Sequence, residues 1–181
     1  MWDYYYADRN AVNLGTSSDR TFHVLWRLDD LDFSKVSPKL AIIMIGTNNR
    51  AMHTAEQIAE GVTAIVQSVR GKLPQTKVLL LGIFPRETTP DAENRVKLAA
   101  ANKILASLDD GQNIFFLDIG EEFLNDDGIL PEEIMPDALH PNTLGYWIWA
   151  RAMAPAVSRL MGEMSPDRHP KGFVALFNGK D

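Results

Sequence analysis

Cysteine is absent from all 181 residues. Disulfides and thiolate metal sites are therefore excluded, although the compartment stays open, since secreted bacterial proteins also do without cysteine. Basic charge is scarce: 18 Lys and Arg stand against 24 Asp and Glu, a formal net charge of −6. A nucleic-acid surface wants a basic stripe, and this balance argues against one. No window reaches the roughly 18 consecutive apolar residues of a membrane-spanning helix. The opening "MWDYYYADRN" carries acids and aromatics where a signal peptide needs a basic start and an apolar stretch. Internal repeats and low-complexity tracts are missing too. No His/Asp/Glu cluster has metal-ligand spacing, so neither a metal nor another cofactor is expected. Apolar residues make up 45% and charged residues 23%, which is ordinary globular usage. A chain of this length can bury one sizeable core.

Four short apolar runs are present: "AVNLG" (11–15), "KLAIIMIG" (39–46), "KVLLLGIFP" (77–85) and "NIFFLDIG" (113–120). Continuous apolar runs without alternation fit strands buried on both faces, as in a parallel sheet. Helical patterns lie between them. "SDRTFHVLWRL" (18–28) opens on a Ser/Asp cap signal. The segment 54–73 has Thr54 as N-cap, Gln57 at the capping-box position, and Ile58, Val62, Ile65, Val66 and Val69 at helical spacing. Residues 91–108 follow Pro90, and residues 141–162 close the series with a bend expected near Pro155. Alternating strands and helices make an open α/β sheet with helices on both faces.

Such sheets bind ligands beyond the carboxyl ends of their strands. Three polar motifs fall there: "GTSSDRT" (15–21), "GTNNR" (46–50) and "DALH" (137–140). An Asp beside a His can hold one ring nitrogen and leave the other as general base, which singles out Asp137 and His140. The plainer reading makes Asp137 a cap for the following helix. The Asn48 side-chain amide can point at a developing oxyanion, or Asn48 can simply shape a turn. The backbone N–H groups of 15–21 suit an anion, or form an ordinary strand-to-helix turn. Arg86 sits in a rim loop, "FPRETTPD" (84–91), where it could meet a substrate. His23, His53 and His169 are isolated.

In this order the motifs resemble the SGNH (GDSL-type) hydrolase family, and within it the platelet-activating-factor acetylhydrolase-like members. The matching lines are "AVNLGTSSDRTFHVLWRL", "IIMIGTNNRAMHTAEQIAEGVTAIV", "KVLLLGIFPR" and "MPDALHPNTLGY", spanning about residues 2 to 162. The resemblance implies a three-layer α/β/α sandwich with a flavodoxin-like parallel sheet, and hydrolysis of short, often acetyl, esters. It carries His140 over as general base, Asp137 as its orienting acid and Asn48 as an oxyanion donor. The second donor, usually a Gly backbone N–H, falls on Ser18. The family's nucleophile is the Ser of a Gly-Asp-Ser motif after the first strand, and both are expected upstream of this chain. Ser17 and Ser18 are the substitutes within it.

The tail "GFVALFNGKD" resembles the opening of a concanavalin-like domain associated with 3-keto-disaccharide hydrolysis. Residues 1–162 then form the hydrolase-like domain, and 163–181 a linker and the start of another. A parent protein that is secreted or periplasmic, and a small ester substrate on an acetylated carbohydrate, would follow. The alternative is a non-catalytic module that binds acylated carbohydrate in a vestigial cleft. Without the first strand, "AVNLG" and "KLAIIMIG" would face a gap. That predicts a rearranged N-terminal region or a homo-oligomer.

Overall fold

The computed structural model describes residues 2–163. Helices α1 (Trp2–Tyr5), α2 (Thr21–Asp30), α3 (Ala55–Lys72), α4 (Glu93–Leu105) and α5 (Thr143–Met161) alternate with strands β1 (Leu40–Ile43), β2 (Lys77–Leu81) and β3 (Ile114–Leu117). The sheet is parallel, in the order β1-β2-β3. Leu40 pairs with Lys77 and Val78 with Ile114.

The alternation of β2 sorts the core into two halves. Val78 and Leu80 pack with Ile58, Val62, Ile65 and Val66 of α3 and with Leu98 and Leu105 of α4. Leu79 and Leu81 point the other way, onto Phe84, Phe123, Met153, Val157 and Leu160. Both faces are covered, as the apolar runs require, and the result is a three-layer α/β/α sandwich.

Local signals explain most boundaries. At α3 the capping box forms as expected: Gln57 N–H donates to Thr54 Oγ1 at 3.3 Å and Thr54 N–H to Gln57 Oε1 at 3.0 Å. At α5 Asn142 is the N-cap, accepting from Gly145 N–H at 3.1 Å. The helix runs on through Pro155 and stops at Gly162, which adopts φ +72°.

Three expectations are corrected. The cap of α2 is neither Ser18 nor Asp19. The helix begins at Thr21 with Arg20 as N-cap, whose N–H donates to His23 Nδ1 at 3.1 Å. The strands are shorter than the apolar runs that contain them. Above all, "AVNLG" forms no strand: residues 11–15 lie outside the sheet and Val12 is 78% exposed. A strand needs a partner for its ladder, and among the described residues none flanks this segment. Asn13 instead folds it locally, accepting from Gly15 N–H at 2.9 Å.

The chain before this segment docks on α5. The ring of Tyr5 meets Trp147 edge-on, and Arg9 pairs with Glu163 at 2.5 Å. Beyond Glu163, the expected linker and the start of a second domain, with His169, lie outside the described residues.

Candidate active site

Of the three polar motifs, one follows β1, and the other two lead into α2 and α5. After β1 the chain turns through Gly46 into a short 3₁₀ helix, Thr47–Asn49. Gly46 has φ +127°, and a Cβ there would lie 2.7 Å from Ile83 Cδ1. Glycine is required on both counts, and the turn it permits sets the place of Asn48.

Asn48 Nδ2 donates to Asp19 O at 3.0 Å, and Arg20 Nε donates to Asn48 O at 3.3 Å. The two expected oxyanion segments are thus tied to each other. Asn49 reinforces the joint: its buried amide accepts from Thr21 N–H and donates to Thr21 Oγ1. Asp19 is buried against the guanidinium of Arg27, with contacts of 2.8 and 3.0 Å. That bond pushes the Arg27 pKa up. Ser18 has φ +64°, a left-handed conformation that L residues seldom adopt and glycine adopts freely. This is the position where the resemblance expects glycine. Ser17 and Ser18 are exposed, and no hydrogen bond joins either to His140 among the described residues.

Asp137 and His140 meet. His140 Nδ1 lies 2.6 Å from Asp137 Oδ2. The other carboxylate oxygen accepts from His140 N–H at 2.7 Å and Leu139 N–H at 3.1 Å. One oxygen therefore shapes the turn and the other holds the ring. A carboxylate only accepts, so the shared proton sits on Nδ1, and in the neutral ring Nε2 carries the lone pair. The His140 bonds, ring first and backbone second, hold the Asp137 carboxyl down to about 2, below its ordinary 3.8. The side chains are open to solvent, 75% exposed for His140 and 57% for Asp137.

The helix behind this turn fixes it. Asn142 N–H donates to Ile134 O at 3.0 Å and Asn142 Nδ2 to Glu133 O at 2.8 Å. A Cβ at Gly145 would come within 2.8 Å of Ile134 O, so only glycine lets α5 approach so closely.

Sequence reasoning passed over Asp19 and Asn49. The Asn-Asn doublet in "GTNNR" was the available signal, but nothing local says which Asn faces the rim and which is buried. Among the described residues, no group of three or more His, Cys, Asp or Glu could hold a metal ion, and no helix is long and apolar enough to cross a membrane.

This is the layout of an open α/β protein, with helices on both faces of a parallel sheet. Over residues 2–148 the sequence matches the GDSL-like lipase/acylhydrolase family, and the chain belongs to that family. It is 34% identical to the human platelet-activating factor acetylhydrolase IB subunit alpha1, over 90% of this chain and 70% of that protein. Among solved structures, a GDSL-like lipase from Bacteroides thetaiotaomicron superposes with a TM-score of 0.72 at 18% identity, covering 86% of this chain and 78% of that one. An acetylxylan esterase from Geobacillus stearothermophilus gives 0.69 at 18% identity, covering 90% and 78%. These two likenesses establish the fold.

Proposed function

We propose that the rim hydrolyses short acyl esters, acetyl esters above all, with His140 as general base and Asp137 as its orienting acid. The observation that carries this is the 2.6 Å contact from His140 Nδ1 to a carboxylate oxygen whose partner oxygen is locked by two backbone N–H groups. That arrangement leaves Nε2 free to take a proton from a nucleophile. The Asn48 amide and the Ser18 N–H are the oxyanion donors. The bond from Asn48 Nδ2 to Asp19 O supports this, because it ties the Asn48 amide to the residue that follows Ser18. The attacking serine is the Gly-Asp-Ser residue of the family, upstream of Met1, with Ser17 and Ser18 as the substitutes inside the chain. Residues 1–162 form the acylhydrolase domain and 163–181 lead into another domain. An acetylated carbohydrate suits that arrangement.

A second reading is binding without turnover, in which the same cleft holds an acylated carbohydrate. The openness of the Asp137–His140 pair favours it, since a base works best where water is excluded. A second copy of the chain is the partner proposed for the open edge of β1.

Hydrolysis of p-nitrophenyl acetate tests both. The chain alone should turn over only weakly, because a triad without its nucleophile keeps about 10³–10⁴-fold over water. Extending the chain upstream to include the serine should raise the rate, and His140→Ala should abolish the gain. An extended protein whose rate ignores His140→Ala would overturn the hydrolase reading. One that binds acetylated oligosaccharide without turnover would establish the second.

A further inference from the structure

Arg86 and Glu87 are neighbours in the chain that hold opposite lips of the rim. Arg86 Nη1 donates to Thr47 Oγ1 at 3.1 Å and to Thr47 O at 3.3 Å, immediately before Asn48. Glu87 N–H donates to Ala138 O at 2.9 Å, immediately after Asp137. The segment that spans them is itself anchored: Glu87 accepts from Asn94 N–H and from Asn94 Nδ2 at the start of α4. Glu87 and Ala138 both take positive φ, +64° and +53°. Neither is glycine, and strain of this kind persists where surrounding structure enforces it.

The setting of Arg86 is unusual for an arginine that serves stability alone. It is only 7% exposed, its Nε is buried without a partner, and no carboxylate lies within ion-pair distance among the described residues. Buried guanidinium groups are ordinarily paired, because desolvation is otherwise uncompensated. Desolvation, with Arg50 close by, pulls its pKa down, while the charges of Glu87 and Asp137 oppose that. The side chain thus forgoes an ion pair and keeps one guanidinium nitrogen, Nη1, on the carbonyl and hydroxyl of Thr47, beside Asn48. Lysine also carries enough donors for two acceptors, but its ammonium sits on a shorter, more flexible stem, so it should hold Thr47 less firmly.

We infer that Arg86, with Glu87, is a strut that sets the spacing between the Asn48 lip and the Asp137–His140 lip. Arg86 is a positioning residue acting through Thr47. This rests on the reading of those lips as oxyanion donor and base, which the test checks separately.

The experiment is NMR on the full ¹⁵N-labelled chain and three variants, Arg86→Gln, Arg86→Lys and Asp137→Asn. In Arg86→Gln, hydrogen exchange of the Glu87 and Asn49 amides should rise about tenfold or more, while the Val78 amide, in the centre of the sheet, stays within about threefold. The Asn48 side-chain amide and the His140 ring nitrogens should shift together, and Arg86→Lys should restore part of both effects. Exchange rising equally at Val78 would make Arg86 a stability residue only and overturn the strut. So would movement at one lip alone, or at neither. Asp137→Asn judges the underlying reading independently: it should move the His140 ring signals, and unmoved signals would remove the dyad whatever Arg86 does.

Discussion

Asp137 shows how far one carboxylate can be committed by geometry alone. It is exposed, so burial is not the cause of its acidity. Three N–H donors within three residues are the cause, the His140 ring foremost. Its carboxyl sits at about 2 in place of 3.8. The sign follows from linkage: a group with a depressed folded value stabilises the folded state fully above its unfolded value, and that contribution disappears as pH falls through the folded one. The window is therefore from about 3.8 down to about 2. A ¹³C titration of the Asp137 carboxyl should show its midpoint near 2. A midpoint at the ordinary value would mean that the contact is not kept in solution. Asp137 stays ionised throughout the neutral range, so an acid limb in any rate profile belongs to another group. These residues were legible in the sequence because their chemistry is local: Asp137 and His140 stand three apart, and Asn48 follows an apolar run. Arg86 was legible only as a rim residue. Its partner Thr47 is 39 positions away, and no pattern in either segment announces the bond.

At the scale of elements, legibility followed the origin of the stabilising interaction. Helix α3 could be read to within a residue because its cap and its apolar stripe lie within its own sequence. The "AVNLG" segment could not, because a strand is made by its neighbour. Its apolar residues match a buried strand, yet without a flanking strand they remain in solvent. The turn after β1 is intermediate. "IGTNN" reads as a strand end, but the need for glycine comes from Ile83 and Ile58, which are distant in sequence. Gly46→Ala should therefore act through both backbone and packing. A left-handed conformation costs an L residue roughly 1–2 kcal/mol, and overpacking a core adds typically 1–3. We expect a loss of about 2–5 kcal/mol in urea unfolding, with displacement of the Asn48 side-chain amide resonance. A loss below about 1 kcal/mol would mean that the Thr47–Asn49 turn tolerates a side chain where the geometry leaves it none.

Considered whole, the molecule treats its two sheet edges differently. The outer edge of β3 is closed by the preceding loop: Asp110 N–H donates to Ile114 O at 3.0 Å, and Asp109 Oδ2 accepts from Phe116 N–H at 2.8 Å. Nothing comparable lies along β1, which pairs only with β2 among the described residues. Ile42 on that strand is 37% exposed, and Val12, Phe22 and Trp26 are open to solvent in the same third of the chain, Trp26 at 68%. Open strand edges recruit other strands. A protein with only about 5–15 kcal/mol of total stability gains appreciably by covering such an edge. We expect the purified chain to self-associate, with light scattering and sedimentation giving an apparent mass that rises with concentration. Ile42→Lys should shift the population toward monomer, because a charge on an edge strand opposes pairing. Its melting temperature in the dilute limit should change little, since Ile42 is not in either buried cluster. A wild-type chain that stays monomeric to about 100 μM would show that the edge is protected by something other than a second copy.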